Sequence, residues 1–318
     1  MAVDDSMIQD NVLLMKKRRV GSLTAEGVAL MRAGEAGKPA DERICYDPLA
    51  KFFIRPELIK KFLSLPKDEL ERKRVEVDQV LPGHRNSILT RVRYFDDFMQ
   101  GKIADGMSQF VLLGAGYDSR PYRLEGIGEA KVFEIDLEET QATKKSIIQK
   151  AFGKLPSHVS YLPLDITAAD LYSSLVKSGF DGSKPTLFIM EGLLCYLPPE
   201  IVRQLLCSIG QNAAPGSSVL FDTIPQSLID GTNPSPVAER LRQHVMSMDE
   251  PFLFGIRDGE EERYLTDLGF SNARAVTDRE YMNKLFSGKT PEKQTTGLLV
   301  FCSAEVPNER SGTGSGKE

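Results

Sequence analysis

Two glycines and a carboxylate form the pattern with the clearest chemical meaning in this chain. Gly114 and Gly116 follow the apolar run Phe110–Leu113, and Asp136 ends a second apolar run. Glycine lets a strand turn tightly into a helix and brings the backbone close to a ligand, because it has no Cβ. Asp136 lies about 20 residues further on, where an acidic residue can accept hydrogen bonds from the hydroxyls of a ribose. The spacing therefore predicts a site for a nucleoside-containing cofactor.

The rest of the glycine loop indicates which nucleoside. In the dinucleotide pattern G-x-G-x-x-G the third glycine lets the helix pack closely over a pyrophosphate. Here Ser119 takes that position, and Asp118 places a negative charge where the pyrophosphate would lie. S-adenosylmethionine, with a ribose, an adenine and a cationic sulfonium, fits this loop better than NAD. The disfavoured alternatives are a nicotinamide-dependent dehydrogenase and an ordinary strand-to-helix turn in an unrelated α/β protein.

Polar residues also follow the third and fourth predicted strands. Asp165 could bind the exocyclic amine of an adenine while Ile166 packs on the ring, or it could cap a helix that starts near Thr167. Glu191 could contact the amino group of the cofactor's methionine part. It could equally form a salt bridge with a neighbouring helix, because a buried carboxylate is costly without a partner. Tyr196 is the candidate catalytic residue, lining the transfer site, with a structural role as the alternative.

Three arginines are candidates to bind a carboxylate group. Arg91 and Arg93 lie shortly before the first apolar run, and Arg32 lies further upstream. A guanidinium binds a carboxylate through two parallel hydrogen bonds and stays charged at every relevant pH. Each of the three could also be a solvated surface residue, so the pattern leaves the choice among them open.

The composition excludes several classes of protein. The 318 residues are 41% hydrophobic and 27% charged, with a net charge of −5. Nucleic acid is therefore not expected as a partner, since phosphate binding depends on clustered Lys and Arg. The one basic cluster, Lys16–Arg19, is better explained as a solvated helix start than as a nuclear signal. The N-terminal region has no apolar run long enough for a signal peptide or membrane span, so we expect a cytoplasmic protein that does not bind membranes.

Cysteine and histidine usage predicts no metal. The four cysteines are scattered without C-x-x-C spacing, which is typical of a reducing compartment. The three histidines, His84, His158 and His244, form no H-x-x-x-H pair. We therefore expect neither a structural zinc site nor a metal cofactor.

Apolar runs alternate with helical patterns from about residue 106, which predicts a doubly wound α/β sheet. The last of these runs has no helix after it and could insert antiparallel beside its predecessor. The seven predicted strands are 109–113, 131–135, 158–162, 185–190, 217–222, 271–276 and 296–303.

The remaining segments suggest how the chain is divided. Residues 1–105 are predicted to form a helical N-terminal cap, and 106–305 the cofactor-binding α/β core. The proline-rich stretch 225–263 interrupts the core after the fifth strand, where an insertion lies over the ligand crevice of an open sheet. The polar, Ser- and Gly-rich tail 306–318 is predicted to be disordered.

Five blocks, taken together and in order, resemble the leucine carboxyl methyltransferase family over roughly residues 20–305. This family includes phosphatase-directed enzymes and bacterial relatives linked to polyketide O-methylation. The blocks are Asp47–Ala50, Arg91–Phe98, Leu113–Leu124, Glu134–Asp136 and Glu191–Pro198.

The resemblance implies a class I methyltransferase fold, Rossmann-like with about seven strands, and S-adenosylmethionine as methyl donor. By position, Arg91 or Arg93 would hold the cofactor carboxylate with help from Arg32, and Glu191 would hold its amine. Asp136 would bind the ribose. The whole implied cofactor site consists of Arg32, Arg91, Arg93, Gly114, Ala115, Gly116, Asp136, Leu137, Asp165, Ile166 and Glu191.

The resemblance also points to an oxygen acceptor, above all a carboxylate. Phosphatase-directed members carry an arginine soon after the aspartate at the adenine position, but the run Asp165–Asp170 has none. We therefore expect an O-methyltransferase that converts a small-molecule carboxylic acid to its methyl ester. The alternatives are a protein C-terminal carboxyl methyltransferase, a hydroxyl methyltransferase that uses His84 or His244 as base, and a non-catalytic cofactor-binding module. The oligomeric state stays open.

Overall fold

A computed structural model describes residues 23–168, 170–247, 251–287 and 293–308 of the chain. The basic cluster Lys16–Arg19 and most of the predicted disordered tail lie outside the described residues. Within them, no helix is long and apolar enough to cross a bilayer. The division into cap, core and tail stays a prediction.

A seven-stranded sheet forms the centre of the molecule, as predicted. Its strands lie in the order β3-β2-β1-β4-β5-β7-β6, and the four pairings from β3 to β5 are parallel. β7 inserts between β5 and β6 and is antiparallel to both, which confirms the predicted antiparallel last strand. The strands are β1 (Gln109–Leu113), β2 (Lys131–Asp136), β3 (Val159–Pro163), β4 (Leu187–Met190), β5 (Ser218–Thr223), β6 (Ser271–Thr277) and β7 (Val300–Glu305).

The predicted bounds of the last strand, 296–303, are wrong. The strand starts only at Val300, because Thr296 is held by Ser87 through a backbone N–H bond of 2.8 Å to Oγ and a 3.0 Å contact between the hydroxyls. Gly297 then adopts a φ of +72°, which turns the chain before it enters the sheet. Apolar character at Leu298 and Leu299 therefore reflects burial beside the sheet, not pairing within it.

Helices cover both faces of the sheet. Side chains of β1 alternate between two apolar clusters: Val111 and Leu113 belong to one, Phe110 and Leu112 to the other. Burial on both faces is typical of parallel strands and explains their continuous apolar runs. The α-helices are α1 (Leu23–Ala36), α2 (Pro56–Leu63), α3 (Lys67–Val80), α4 (His84–Ala104), α5 (Arg120–Arg123), α6 (Glu138–Phe152), α7 (Leu171–Lys177), α8 (Pro199–Asn212), α9 (Gln226–Asp230), α10 (Pro236–Ser247), α11 (Glu261–Asp267) and α12 (Asp278–Leu285).

The stretch predicted as an insertion leaves the sheet directly after β5 and returns beside β4. It carries α9 and α10, and a single bridge pairs Pro225 with Ile256. The backbone N–H of Leu253 donates to the carbonyl of Cys195 at 2.7 Å. The returning chain is therefore anchored on the short 3-10 turn Leu194–Tyr196 that follows β4.

Candidate active site

A cavity of about 390 Å³ opens where β1, β2, β3 and β4 end, and α1 contributes to its wall. This volume falls in the range of small-molecule sites, which in open α/β sheets lie at the carboxyl ends of the strands. Of the predicted site residues, the structure brings together Arg32, Arg91, Gly114, Ala115, Gly116, Asp136, Leu137, Asp165, Ile166, Glu191 and Tyr196 on this wall.

The glycine loop needs its glycines for two reasons. Gly114 has a φ of +64°, and a Cβ there would lie 2.8 Å from the side chain of Leu193. Gly116 has a φ of +39°, and its N–H donates to Asp136 Oδ2 at 2.6 Å. Since the N–H of Ala115 also donates to a carbonyl of β2, the loop is tied to that strand residue by residue.

Asp136 is held by neutral donors. Its Oδ2 accepts the Gly116 bond, and its Oδ1 accepts a bond of 2.7 Å from the backbone N–H of Leu137. Burial raises the pKa of Asp136, and these two hydrogen bonds offset the rise only in part. Each carboxylate oxygen retains acceptor capacity, because a carboxylate offers about four lone-pair sites in all.

Asp165 closes a turn instead of starting a helix. Its Oδ1 accepts from the Thr167 backbone N–H at 2.9 Å and from the Thr167 hydroxyl at 2.6 Å. The next helix, α7, starts only at Leu171, and Asp170 is its N-cap. The alternative interpretation of Asp165 as a helix cap is therefore wrong. Within the described residues its Oδ2 has no hydrogen bond, which leaves that oxygen available to a ligand.

Glu191 lies on the cavity wall and is also fully paired. Its Oε1 accepts from Arg91 Nε at 3.0 Å, and its Oε2 accepts from Arg120 Nη1 at 2.5 Å. Burial raises the pKa of Glu191, but the charges of Arg120 and Arg91 outweigh it and hold the pKa below the ordinary value of glutamate. Glu191 therefore forms the salt bridges of the alternative interpretation and also lines the cavity, while its contact with the cofactor amine stays a prediction.

Arg120 connects Glu191 to two further carboxylates, and sequence reasoning missed it. It donates to Asp96 Oδ1 and to Asp118 Oδ2, each at 2.7 Å, and its side chain is 2% exposed. The chain of alternating charges continues through Asp96, Arg123, Asp47 and Arg32. The available signal was the position of Arg120, two residues after the loop carboxylate Asp118.

Asp222 was also missed. It lies in β5, accepts from the Gly192 N–H at 2.5 Å, and pairs with Arg91 Nη1 at 3.0 Å. Burial raises the pKa of Asp222 in spite of Arg91. Its place near a strand end, like that of Asp136, was a usable signal.

The three predicted arginines differ in their partners and in their exposure. Arg91 is committed to Glu191 and Asp222, whereas Arg32 binds Asp47 at 3.0 Å and a backbone carbonyl at 2.8 Å. Within the described residues the Nε of Arg32 is buried without a hydrogen-bond partner. The structure does not bring Arg93 to the cavity: its side chain is 40% exposed and pairs with Asp97. Residues two apart on a helix do not share a face, so Arg91 and Arg93 cannot both point into one site.

The charges on the cavity wall favour a cationic ligand. The wall carries two guanidinium groups and six carboxylates. This excess of negative charge opposes the binding of a pyrophosphate. Tyr196 extends the wall toward the inserted segment, with its ring 5.7 Å from that of Phe252. The charged residues on the wall are Arg32, Arg91, Asp118, Asp136, Glu138, Glu139, Asp165 and Glu191.

The family model and the relatives that this sequence matches carry methyltransferase names. The model of the family described as "Leucine carboxyl methyltransferase" matches residues 25–210. A relative from Mycolicibacterium smegmatis, named "Putative S-adenosyl-L-methionine-dependent methyltransferase", is 32% identical over 265 residues, 80% of this chain and 86% of the relative. A relative of the same name from Mycobacterium avium is 29% identical, over 86% of this chain and 92% of its own.

Solved structures agree on the fold. A structure from Thermobifida fusca, described as a putative methyltransferase, has a TM-score of 0.55 at 17% identity and covers 72% of this chain and 85% of its own. A DUF574 family protein from Streptomyces avermitilis also has a TM-score of 0.55, at 11% identity, over 88% of this chain and 97% of its own. With the family match over more than half of its length, the chain belongs to the leucine carboxyl methyltransferase family and is a methyltransferase with a class I, Rossmann-like fold.

Proposed function

We propose that the cavity binds S-adenosylmethionine and that the protein methylates the carboxylate of a small-molecule acid to give a methyl ester. One observation carries the cofactor part: a glycine loop, two strand-end carboxylates with acceptor capacity and an excess of negative charge line one cavity. The names of the relatives from Mycolicibacterium smegmatis and Mycobacterium avium support the same donor.

The residues present fit the parts of this cofactor. Asp136 would bind the ribose hydroxyls, and Oδ2 of Asp165 would accept from the adenine amine. Arg91 and Arg32 both line the cavity and would together hold the methionine carboxylate, since the pairs of Arg91 occupy its Nε and Nη1 and leave Nη2 for a ligand. Glu191 and Asp118 would face the cationic groups. Bound there, the cofactor would supply a methyl group on a sulfonium.

The electrostatics of the site suit an acceptor that is already ionised. A carboxylic acid is deprotonated at pH 7 and needs no general base. Glu191 is a weak base, because Arg120 and Arg91 hold its pKa low. What the chain then contributes is positioning of the two reactants and exclusion of water, which can lower a barrier by about 7–11 kcal/mol.

A small acid is proposed in preference to a protein C-terminus because the turn Asp165–Thr167 is followed by no arginine before Asp170. Tyr196 would line the transfer site next to Phe252. A methyl-transfer assay that offers free carboxylic acids and leucine-ended peptides in parallel separates the two acceptor classes. Labelling of peptides alone would replace the proposed acceptor with a protein C-terminus.

Calorimetric titration tests the cofactor first. We expect micromolar binding of S-adenosylmethionine and S-adenosylhomocysteine, none of NAD, and a large loss of affinity in Asp136→Ala. Asp181→Ala, which removes an exposed carboxylate outside the cavity, is the matched control. If the wild-type protein binds neither S-adenosylmethionine nor S-adenosylhomocysteine, the proposal is wrong.

The histidines separate a carboxylate acceptor from a hydroxyl acceptor. A hydroxyl needs a base within hydrogen-bond reach, yet neither His84 nor His244 is among the residues that line the cavity. Burial, with help from the charges of Arg91 and His244, lowers the pKa of His84 to about 4. We expect His84→Ala and His244→Ala to keep their turnover number within about threefold, as residues remote from the chemistry usually do. A much larger fall with unchanged cofactor affinity would favour the hydroxyl acceptor.

A further inference from the structure

A buried ion pair lies behind the glycine loop, outside the cavity. Lys144 on α6 is 1% exposed, Glu134 in β2 is fully buried, and Lys144 Nζ lies 2.9 Å from Glu134 Oε1. Removing two charges from water is expensive, and such a pair is often no more stabilising than apolar residues of the same volume. The pair therefore calls for an explanation other than stability.

The second contact of Lys144 supplies one. Its Nζ also donates to the carbonyl of Ala115 at 3.2 Å, and Ala115 is on the cavity wall. Glu134 Oε1 is shared with the hydroxyl of Tyr122 at 2.8 Å, whereas Glu134 Oε2 is buried without a partner within the described residues. Lys144 thus joins β2 to the glycine loop. Glu134 holds Lys144 in place, although one of its own carboxylate oxygens is left without a hydrogen bond within the described residues.

We propose that Lys144 is a positioning residue for cofactor binding, which fixes the glycine loop through Ala115 and supplies the positive charge behind the cavity carboxylates Asp118 and Asp136. The inference rests on the proposed function, since it assigns the role to the same cofactor site. Neither Lys144 nor Glu134 is among the residues that line the cavity, so Lys144 acts through the loop and not by contact with the ligand.

The charges around Lys144 give the proposal a second consequence. Burial raises the pKa of Asp136, and the Lys144 charge works against that rise. Burial likewise opposes ionisation of Asp118, but Arg120 and then Lys144 bring the pKa of Asp118 below its ordinary value. The titratable groups around Lys144 are Glu134 and Asp136 of β2, Asp118 of the loop and Tyr122 of α5. Tyr161 of β3 is connected to them through the hydroxyl of Tyr122.

Titration with S-adenosylhomocysteine over a range of pH tests this. In Lys144→Met we expect a dissociation constant about tenfold higher than that of wild type at pH 7.5, the size of one charge-assisted hydrogen bond. On acidification, affinity should be lost at a higher pH than in wild type, because Asp136 and Asp118 lose a compensating charge. Lys150→Met, at an exposed position on the same helix, should match wild type in both respects.

The double variant Lys144→Met with Glu134→Gln distinguishes positioning from stability. It leaves no uncompensated charge and therefore folds even if Lys144→Met alone does not. A positioning role predicts that the tenfold loss and the shifted pH profile persist in the double variant. Wild-type affinity and pH profile in the double variant would overturn the inference, since the pair would then serve stability alone. Failure of wild-type protein to bind the probe would instead overturn the proposed function.

Discussion

Asp136 and Glu191 occupy equivalent places, each at the carboxyl end of a parallel strand on the wall of one cavity, but the fold treats them differently. Asp136 accepts from two backbone N–H groups, whereas Glu191 accepts from two guanidinium groups. Burial raises the pKa of Asp136, while for Glu191 the neighbouring cations overcome burial and lower it. Position at a strand end therefore decides where a carboxylate lies, and its partners decide what it can do.

The difference divides the cavity into two halves. On the β2 and β3 side the carboxylates are held by neutral donors and retain capacity for a ligand. On the β4 and β5 side Glu191 and Asp222 belong to a buried network with Arg91 and Arg120, which also connects α4 and α5 to the sheet. We expect substitutions on the first side to affect binding, and substitutions on the second side to affect folding as well.

The largest expected effect is on the second side. Glu191→Gln leaves Arg91 and Arg120 buried with one carboxylate fewer, and breaking a buried ion pair in this way typically costs about 3–5 kcal/mol. Asp136→Asn keeps one of its two backbone N–H bonds but turns its amide NH2 toward the other donor, so we expect a smaller loss of about 1–3 kcal/mol in the free energy of unfolding, that of one unsatisfied donor. Urea denaturation of both variants, with the exposed Glu200→Gln as control, measures this. Equal losses at the two positions would remove the distinction between the halves.

A smaller difference between Glu191 and Asp136 is expected in the pH dependence of the free energy of unfolding. Glu191 has a lowered pKa in the folded state, so its contribution is present above the unfolded pKa of about 4.3 and is lost as pH falls through the folded value. Asp136 has a raised folded pKa, so its ionisation weakens folding as pH rises from the unfolded value of about 3.9 through the folded one. Between pH 3 and 7, Glu191→Gln should flatten the wild-type rise in stability, and Asp136→Asn should steepen it. Identical pH slopes in both variants would contradict the assignment.

The smallest effect is expected at Arg93, outside both halves. Its pair with Asp97 is exposed, and such pairs contribute about 0–1 kcal/mol. Arg93→Ala should keep both the unfolding free energy and the affinity for S-adenosylhomocysteine close to wild type. Arg32→Ala is its counterpart on the cavity wall and should weaken binding. A binding loss in Arg93→Ala that matches Arg32→Ala would place the cofactor carboxylate elsewhere than proposed.

Local patterns predicted the parts of the fold that are locally determined. Apolar runs located β1 to β5 because parallel strands buried on both faces read as continuous apolar segments. The last strand was misplaced, since Thr296 bonds to Ser87, a residue more than 200 positions away. No short-range pattern records such a contact.

The same limit applies to the site. The strand-end rule located Asp136, Asp165 and Glu191, whose positions follow from the sheet alone. Arg120 and the pairing of Arg91 with Asp222 depend on helices that dock from distant parts of the chain, 131 residues apart in the second case. Helical periodicity would have separated Arg91 from Arg93, but it cannot say which of the two faces the sheet.

The antiparallel insertion of β7 has a consequence for the order of assembly. β6 pairs with β7 and is joined to the rest of the sheet through it, while β7 comes last in sequence among the strands of the described residues. Because a ribosome releases the chain from its N-terminus, β5 keeps an unpaired edge until synthesis has passed Glu305. Until then β6 has no strand to pair with. The sheet is thus completed in one late step, when β7 inserts between β5 and β6.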